Sequence, residues 1–161
     1  MANLSRLLFI FITLVWSIAQ ANPHRDQIDQ LLTQQPPPSG VVFEIASSDP
    51  DALRWAIPLI KKYTDELRQT ISGLEVAVVT HGREQFALQE SNENKYQEVH
   101  DAIKALGKQD EVPVHICETF AGWKDVTAEE FPDYVTVSAT GPQQVNDYID
   151  LGYTLVKLRR P

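Results

Sequence analysis

The chain has 161 residues, of which 22 are acidic and 14 basic, and its formal net charge is −8. This acidic balance excludes nucleic acid and anionic lipid as favoured partners, because both are bound through basic surfaces. The length suits one domain with one substantial core, and the lone cysteine, Cys117, excludes a disulfide within the chain.

Residues 1–21 have the pattern of a secretory signal. Arg6 precedes an apolar run over residues 7–18, and the AQA motif at positions 19–21 fits the small-x-small rule for cleavage. The apolar run is shorter than the ~20 residues that cross a bilayer. We therefore expect cleavage after Ala21, export to the periplasm and no membrane insertion of the mature chain, the alternative being an uncleaved membrane anchor.

Residues 22–39 are expected to be a flexible tether ahead of a folded domain at 40–161. Ile28, Leu31 and Leu32 are spaced for one short amphipathic turn, which three prolines at positions 36–38 would stop. Those three apolar side chains would dock the tether if it docks at all.

From Gly40 onward, runs of β-forming residues alternate with segments in which apolar residues recur at helical spacing. Capping residues and glycines mark the ends of these segments. A capping box over residues 127–130 predicts one further short turn. This alternation predicts an α/β fold of the three-layer Rossmann-like kind, with about five mostly parallel strands and helices on both faces. The predicted strands are 41–46, 74–80, 112–117, 135–139 and 153–158, and the predicted helices are 52–71, 92–106 and 141–151.

Four motifs in this order resemble the DsrE/DsrF-like family, in particular its exported single-domain members: VVFEIASSDPDAL, LEVAVVTHG, VPVHIC and FPDYVTVSATGPQQVNDYIDLGYTLVKL. The resemblance extends from about Gly40 to Leu158. It implies a Rossmann-like fold, assembly into trimers or hexamers, and a persulfide carried on the cysteine that ends the third strand, as in the cytoplasmic sulfur-relay members. By this resemblance Cys117 is the carrier, and its partners would be a sulfur donor or acceptor protein or a small thiol.

The chain departs from the relay pattern at two loops. Residues 118–120 read ETF, which places a carboxylate beside the thiol, and residues 81–84 read HGRE where many relatives carry Gly-Pro-Gly. The export signal is a third departure, because the relay members work in the cytoplasm.

Cys117 and His81 are the candidate catalytic residues, because each ends a predicted strand at the edge where α/β proteins place reactive groups. A helix beginning directly after Cys117 would favour its thiolate, whereas Glu118 would oppose it. If the two strands are neighbours, His81 would pair with the thiol; otherwise it is a loop histidine. Glu118, Thr119 and Gly141 are the candidate ligand-binding residues, and the backbone amides near Gly141 would suit a small anion.

Neither a metal site nor a cofactor is predicted. His115 and Cys117 project from the same face of a strand, but a metal needs three or four ligands, and His81 and His100 would have to complete the set. His100 lies among the apolar positions of its helix and is expected in a core or an interface.

Two functions remain open. In one, Cys117 handles sulfane sulfur outside the cytoplasm. In the other, the protein is a non-catalytic oligomeric module that binds a small ligand or a protein, and its cysteine is structural. In both, aromatic positions such as Trp55 and Tyr96 are expected at the surface for self-association.

Overall fold

The computed structural model describes residues 23–160, and the predicted signal at residues 1–21 lies outside this range. Five strands form one sheet: β1 (Gly40–Ile45), β2 (Glu75–Thr80), β3 (Val114–Cys117), β4 (Thr136–Ser138) and β5 (Tyr153–Leu158). Five α-helices accompany them: α1 (Pro23–Thr33), α2 (Leu53–Thr70), α3 (Gln97–Gln109), α4 (Glu118–Gly122) and α5 (Gly141–Asp150).

The strands lie in the order β4-β3-β2-β1-β5, and every neighbouring pair is parallel. Parallel neighbours need crossover connections, which the helices between the strands provide. The predicted five-stranded α/β architecture, with helices on both faces, is confirmed. The predicted capping box is also confirmed, because Thr127 and Glu130 make both of its hydrogen bonds at a 3₁₀ turn, Ala128–Glu130.

The larger core lies on the face of the sheet that α2 and α3 cover, called here the α2–α3 face. Strand side chains such as Phe43, Val78 and Ile116 pack there against apolar side chains of the helices. The other face, called the α5 face, carries a smaller core in which Val42 and Val79 pack against Val145. Alternation along each strand sends successive side chains to the two cores.

The segment expected as a tether forms a helix that docks on the domain. Ile28 and Leu31 are buried in the larger core, and Leu32 packs against it. Arg25 Nη1 lies 2.7 Å from Glu66 Oε2, which ties α1 to α2. The helix is therefore longer and better packed than the single turn that the sequence predicts.

The prediction that Trp55 and Tyr96 lie at the surface is wrong for both residues. Tyr96 is buried, and Trp55 is half-buried beneath α1, where its ring stacks with that of His24. Trp123, Ile149 and Leu151 are instead the large apolar residues exposed in the described part of the chain. Within residues 23–160, no helix has the length and apolar character needed to cross a membrane.

Candidate functional site

The carboxyl ends of β3 and β4 meet where the chain leaves the sheet in opposite directions. After β3, α4 turns to the α2–α3 face, where Ala121 joins the larger core. After β4, α5 crosses the other face, where Val145 packs. In open α/β sheets, ligands bind in the crevice at such a reversal. Cys117 and Ser138, the last residues of the two strands, are paired at this point.

Cys117 is the N-cap residue of α4. Its backbone is extended, and its Sγ accepts a hydrogen bond from the Phe120 N–H at 3.4 Å. A helix does start directly after Cys117, and it directs an N–H group at the sulfur. The residue is only 4% exposed, so the folded chain covers most of the thiol.

The amide side chain of Gln85 holds the backbone of Cys117 in place. Gln85 is fully buried; its Oε1 accepts the Cys117 N–H at 2.9 Å, and its Nε2 donates to the Cys117 carbonyl at 3.1 Å. These two bonds satisfy a strand end that would otherwise leave buried polar groups unpaired. Gln85 was not predicted, and a glutamine directly before the apolar run Phe86-Ala87-Leu88 is the only signal that it leaves in the sequence.

His81 lies beside Cys117 along the sheet edge, but its ring points toward β1. The two residues directly follow Thr80 and Ile116, which form the last pair between β2 and β3. The His81 Nε2 bonds to Glu44 Oε1 at 2.9 Å, on the neighbouring strand β1. Among residues 23–160, no hydrogen bond joins the side chains of His81 and Cys117, so their pairing stays a prediction.

Glu44 contacts both His81 and Lys157 through its carboxylate oxygens. Its Oε2 lies 3.2 Å from Lys157 Nζ, and the hydrogen bond from His81, followed by the lysine, lowers the pKa of the Glu44 carboxyl. Because a carboxylate accepts, the His81 Nε2 carries the proton in this pair. The signal for Glu44 was a carboxylate inside an apolar strand, β1, which lies between β2 and β5 in the sheet.

The three candidate ligand-binding residues lie at the starts of α4 and α5. Glu118 is exposed, whereas Thr119 fixes α4 to β4, because its Oγ1 and N–H both bond to the Ala139 carbonyl, at 2.7 and 3.1 Å. Gly141 is buried, and a Cβ there would overlap the Cβ and Cγ atoms of His81. The structure thus brings Gly141 and His81 together.

His115 belongs to a buried polar network that joins β3 and β4 to α5. Tyr148 donates to its Nε2 at 2.8 Å, its Nδ1 donates to Ser138 Oγ at 3.0 Å, and Ser138 donates to Gln144 Oε1 at 2.9 Å. Burial lowers the pKa of His115, which keeps the ring neutral as this pattern requires.

His100 is buried, as its apolar position predicts. Its Nε2 donates to the Ala87 carbonyl at 2.8 Å, and its Nδ1 accepts from the Tyr134 hydroxyl. Both ring nitrogens are therefore used in packing α3 against the loops. Over residues 23–160, the structure groups no three His, Cys, Asp or Glu side chains in a way that would hold a metal ion.

Fold and site together define a single-domain Rossmann-like α/β protein with one cysteine at the carboxyl edge of a parallel sheet. No family model and no curated protein matches the chain. The fold is similar to that of MTH1491, a protein of unknown function from Methanobacterium thermoautotrophicum, with a TM-score of 0.59 and 15% identity over 73% of this chain and 97% of that one.

A second solved structure, BT1422, a conserved protein of unknown function from Bacteroides thetaiotaomicron, has a TM-score of 0.48 and 10% identity, over 73% of this chain and 94% of that one. At the identity of the first neighbour, the likeness shows the fold alone. The resemblance to DsrE/DsrF-like proteins therefore depends on the motifs of the sequence.

Proposed function

We propose that this protein is an exported DsrE-like sulfur carrier, which binds sulfane sulfur as a persulfide on Cys117. One observation carries the proposal: the Sγ of Cys117 lies at the crevice between β3 and β4 and accepts the N–H of Phe120. A backbone N–H that points at the sulfur stabilises the anionic thiolate, which is the form that attacks. The motifs of the sequence and its leader pattern support the family and the export.

The transfer is a displacement at sulfur without net oxidation. The Cys117 thiolate attacks the outer sulfur of a donor persulfide, R–S–SH, and the sulfur–sulfur bond of the donor breaks. The donor leaves as the thiolate R–S⁻, and Cys117 becomes Cys–S–SH, so that charge and protons balance. With thiosulfate as the donor, sulfite leaves instead, and the cysteine persulfide forms as its anion.

The burial of the thiol favours a second candidate function. A residue that is 4% exposed has little room for an attacking donor, and buried free cysteines commonly serve as small apolar residues. In this reading the protein is an oligomeric module that binds a small ligand or a protein, and Cys117 fills the end of β3.

Intact-mass spectrometry after incubation with thiosulfate or inorganic polysulfide separates the two functions. If the protein is a carrier, the folded chain gains the mass of one sulfur atom, and dithiothreitol removes it. Cys117→Ser should gain nothing. Ser48→Ala, a substitution at an exposed serine, keeps the thiol and should gain sulfur as wild type does.

The same protein unfolded in urea provides the reference for an accessible thiol. Sulfur that adds to Cys117 only after unfolding would overturn the carrier and favour the binding module. Addition of sulfur to the folded chain at a rate similar to that of the unfolded chain would support the carrier. A covered thiol can react that fast only if the folded protein lets the donor reach it.

A further inference from the structure

A depression of about 460 Å³ opens at the carboxyl edge of the sheet, between the 3₁₀ helix Arg83–Leu88 and α4. Its volume falls within the ~300–1,000 Å³ that is typical of sites for small molecules. It lies close to Cys117, since the lining residue Phe120 donates its N–H to the Cys117 Sγ, and Gln85, which bonds to the Cys117 backbone, belongs to the same 3₁₀ helix as the lining residues Arg83 and Phe86. The lining residues are Arg83, Phe86, Gln89, Phe120, Lys124 and Val126.

Aromatic rings form the apolar part of this depression. The centroids of Phe86 and Phe120 are 5.7 Å apart with planes at 35°, and Trp123 meets Phe120 edge-on at 6.0 Å. Trp123 is 73% exposed and lies outside the lining, where it extends the apolar surface of Phe120. The rings therefore offer flat apolar surface at the mouth of a concave site.

Two cations flank the rings. In the described part of the chain, neither Arg83 nor Lys124 lies within ion-pairing distance of a carboxylate. Glu130 bonds to the lining residue Gln89, but both of its carboxylate oxygens already accept hydrogen bonds, one from the Gln89 amide and one from the Thr127 N–H. Both cationic groups are thus free to bind an anion.

We propose that this depression binds a small organic anion with a flat apolar body. Its carboxylate would lie between Arg83 and Lys124, and its body would pack on Phe86 and Phe120. The size of the depression and the charge of the protein favour a small ligand, because a chain with net charge −8 repels a polyanion at long range. The inference goes beyond the proposed function, since the binding needs no thiol chemistry.

An NMR titration of ¹⁵N-labelled protein with 3-phenylpropionate tests the site. Saturable shifts are expected at the amides of Phe86, Phe120 and Lys124. The neutral 3-phenylpropan-1-ol should bind more weakly, and 3-phenylpropylamine, with the same body and the opposite charge, should not shift these amides. Cys117→Ser should bind 3-phenylpropionate as wild type does, so that failure of sulfur transfer and failure of this site are distinguishable.

The double variant Arg83→Gln/Lys124→Gln should weaken the binding of 3-phenylpropionate roughly two- to thirty-fold, the range for losing two exposed ion pairs. Lys62→Gln/Lys108→Gln, which removes two exposed lysines elsewhere, is the matched control and should bind as wild type. Three results would overturn the proposal: no saturable shift up to the solubility of the probe, equal binding of the alcohol, or an equal loss in the control.

Discussion

The carboxylate of Glu84 holds together the loops that follow β1 and β2. It is fully buried, and it accepts hydrogen bonds from the N–H groups of Ser47 and Gly82, at 2.8 and 2.9 Å, and from the Thr80 hydroxyl at 2.6 Å. A Cβ at position 82 would overlap Glu84 and the backbone of Ser47, which explains the glycine there.

Glu84→Gln should destabilise the fold, although the two side chains have nearly the same shape. The amide NH₂ would face a donor where the carboxylate oxygen now accepts, which leaves buried donors unpaired at a cost of about 1–3 kcal/mol. The free energy of unfolding in urea measures the effect. Glu90→Gln, on the exposed side of the same loop, is the control. If Glu84→Gln lowers the free energy of unfolding no more than this control does, Glu84 does not hold the two loops together.

Glu118→Gln should speed the reaction of Cys117 with thiosulfate by a few-fold if the carrier function holds. Glu118 is exposed and directly follows the cysteine, so its carboxylate repels an approaching dianion. Adding salt should reduce the difference between variant and wild type, because salt screens exposed charges. A rate that neither the substitution nor salt changes would mean that Glu118 does not face the donor. The measurement is the time course of the mass increase.

At the residue scale, the sequence predicts what depends on neighbours in the chain. The helix cap at Cys117 follows from the residues directly around it. The partner of His81 does not, because Glu44 comes close only after β1 and β2 pair. For the same reason Gln85, which is fixed by a strand 32 residues further along the chain, was missed.

At the element scale, α1 depends on a buried histidine for its attachment to the end of β5. His24 Nε2 accepts the N–H of Arg159 at 2.7 Å, and its ring stacks on Trp55 of α2. Burial lowers the pKa of His24 from its ordinary value of 6.5, since a charged imidazole would lose its hydration and turn a second donor toward the Arg159 N–H. The sequence could not predict this docking, because α1 is held by tertiary contacts with α2 and β5.

Attachment of α1 should therefore weaken in acid. Well above pH 6.5 the imidazole is neutral both docked and free. As the pH falls through 6.5, the free imidazole takes up a proton that the docked ring resists, so stability declines below that value. His115 on β3 should lower the stability of the fold as a whole in acid, rather than the attachment of α1, because burial lowers its pKa too.

Hydrogen exchange of the α1 amides between pH 7.5 and 5, corrected for intrinsic rates, measures the release. His24→Gln keeps an acceptor for the Arg159 N–H without a titrating group, so the protection of its α1 should change less over this range. His115→Gln separates the two histidines, since it should leave the pH dependence of α1 unchanged. Equal pH dependence of α1 protection in wild type and His24→Gln would refute the role of His24.

At the scale of the whole molecule, the parallel sheet could be predicted but its strand order could not. Helices between successive strands indicate crossovers and therefore parallel strands. The order β4-β3-β2-β1-β5 requires the chain to cross the whole sheet between β4 and β5, and no local pattern marks such a step. The position of the β3–β4 crevice, and with it the surroundings of Cys117, depends on that order.

The α5 face is covered unevenly, which bears on the self-association expected from the sequence. Only α5 among the described helices packs on the smaller core. Ile149 on this helix and Leu151, its C-cap residue, are exposed, and Tyr148 beside them is half-buried. On the adjoining edge strand β5, Tyr153 and Leu155 are also half-buried. We therefore expect copies of the chain to associate through this α5–β5 surface.

Light scattering coupled to size-exclusion chromatography of residues 22–161 should give a mass of two or more chains at micromolar concentration. Ile149→Asp/Leu151→Asp should shift the mass to that of one chain, because buried charges in an apolar contact are costly. The control Gln143→Glu/Asn146→Asp adds two negative charges at other exposed positions of α5. It should leave the assembly intact if these two positions lie outside the contact. A one-chain mass for the wild type would reject self-association, and an assembly unaffected by the Ile149 and Leu151 changes would place the contact elsewhere, with the exposed Trp123 as the next surface to substitute.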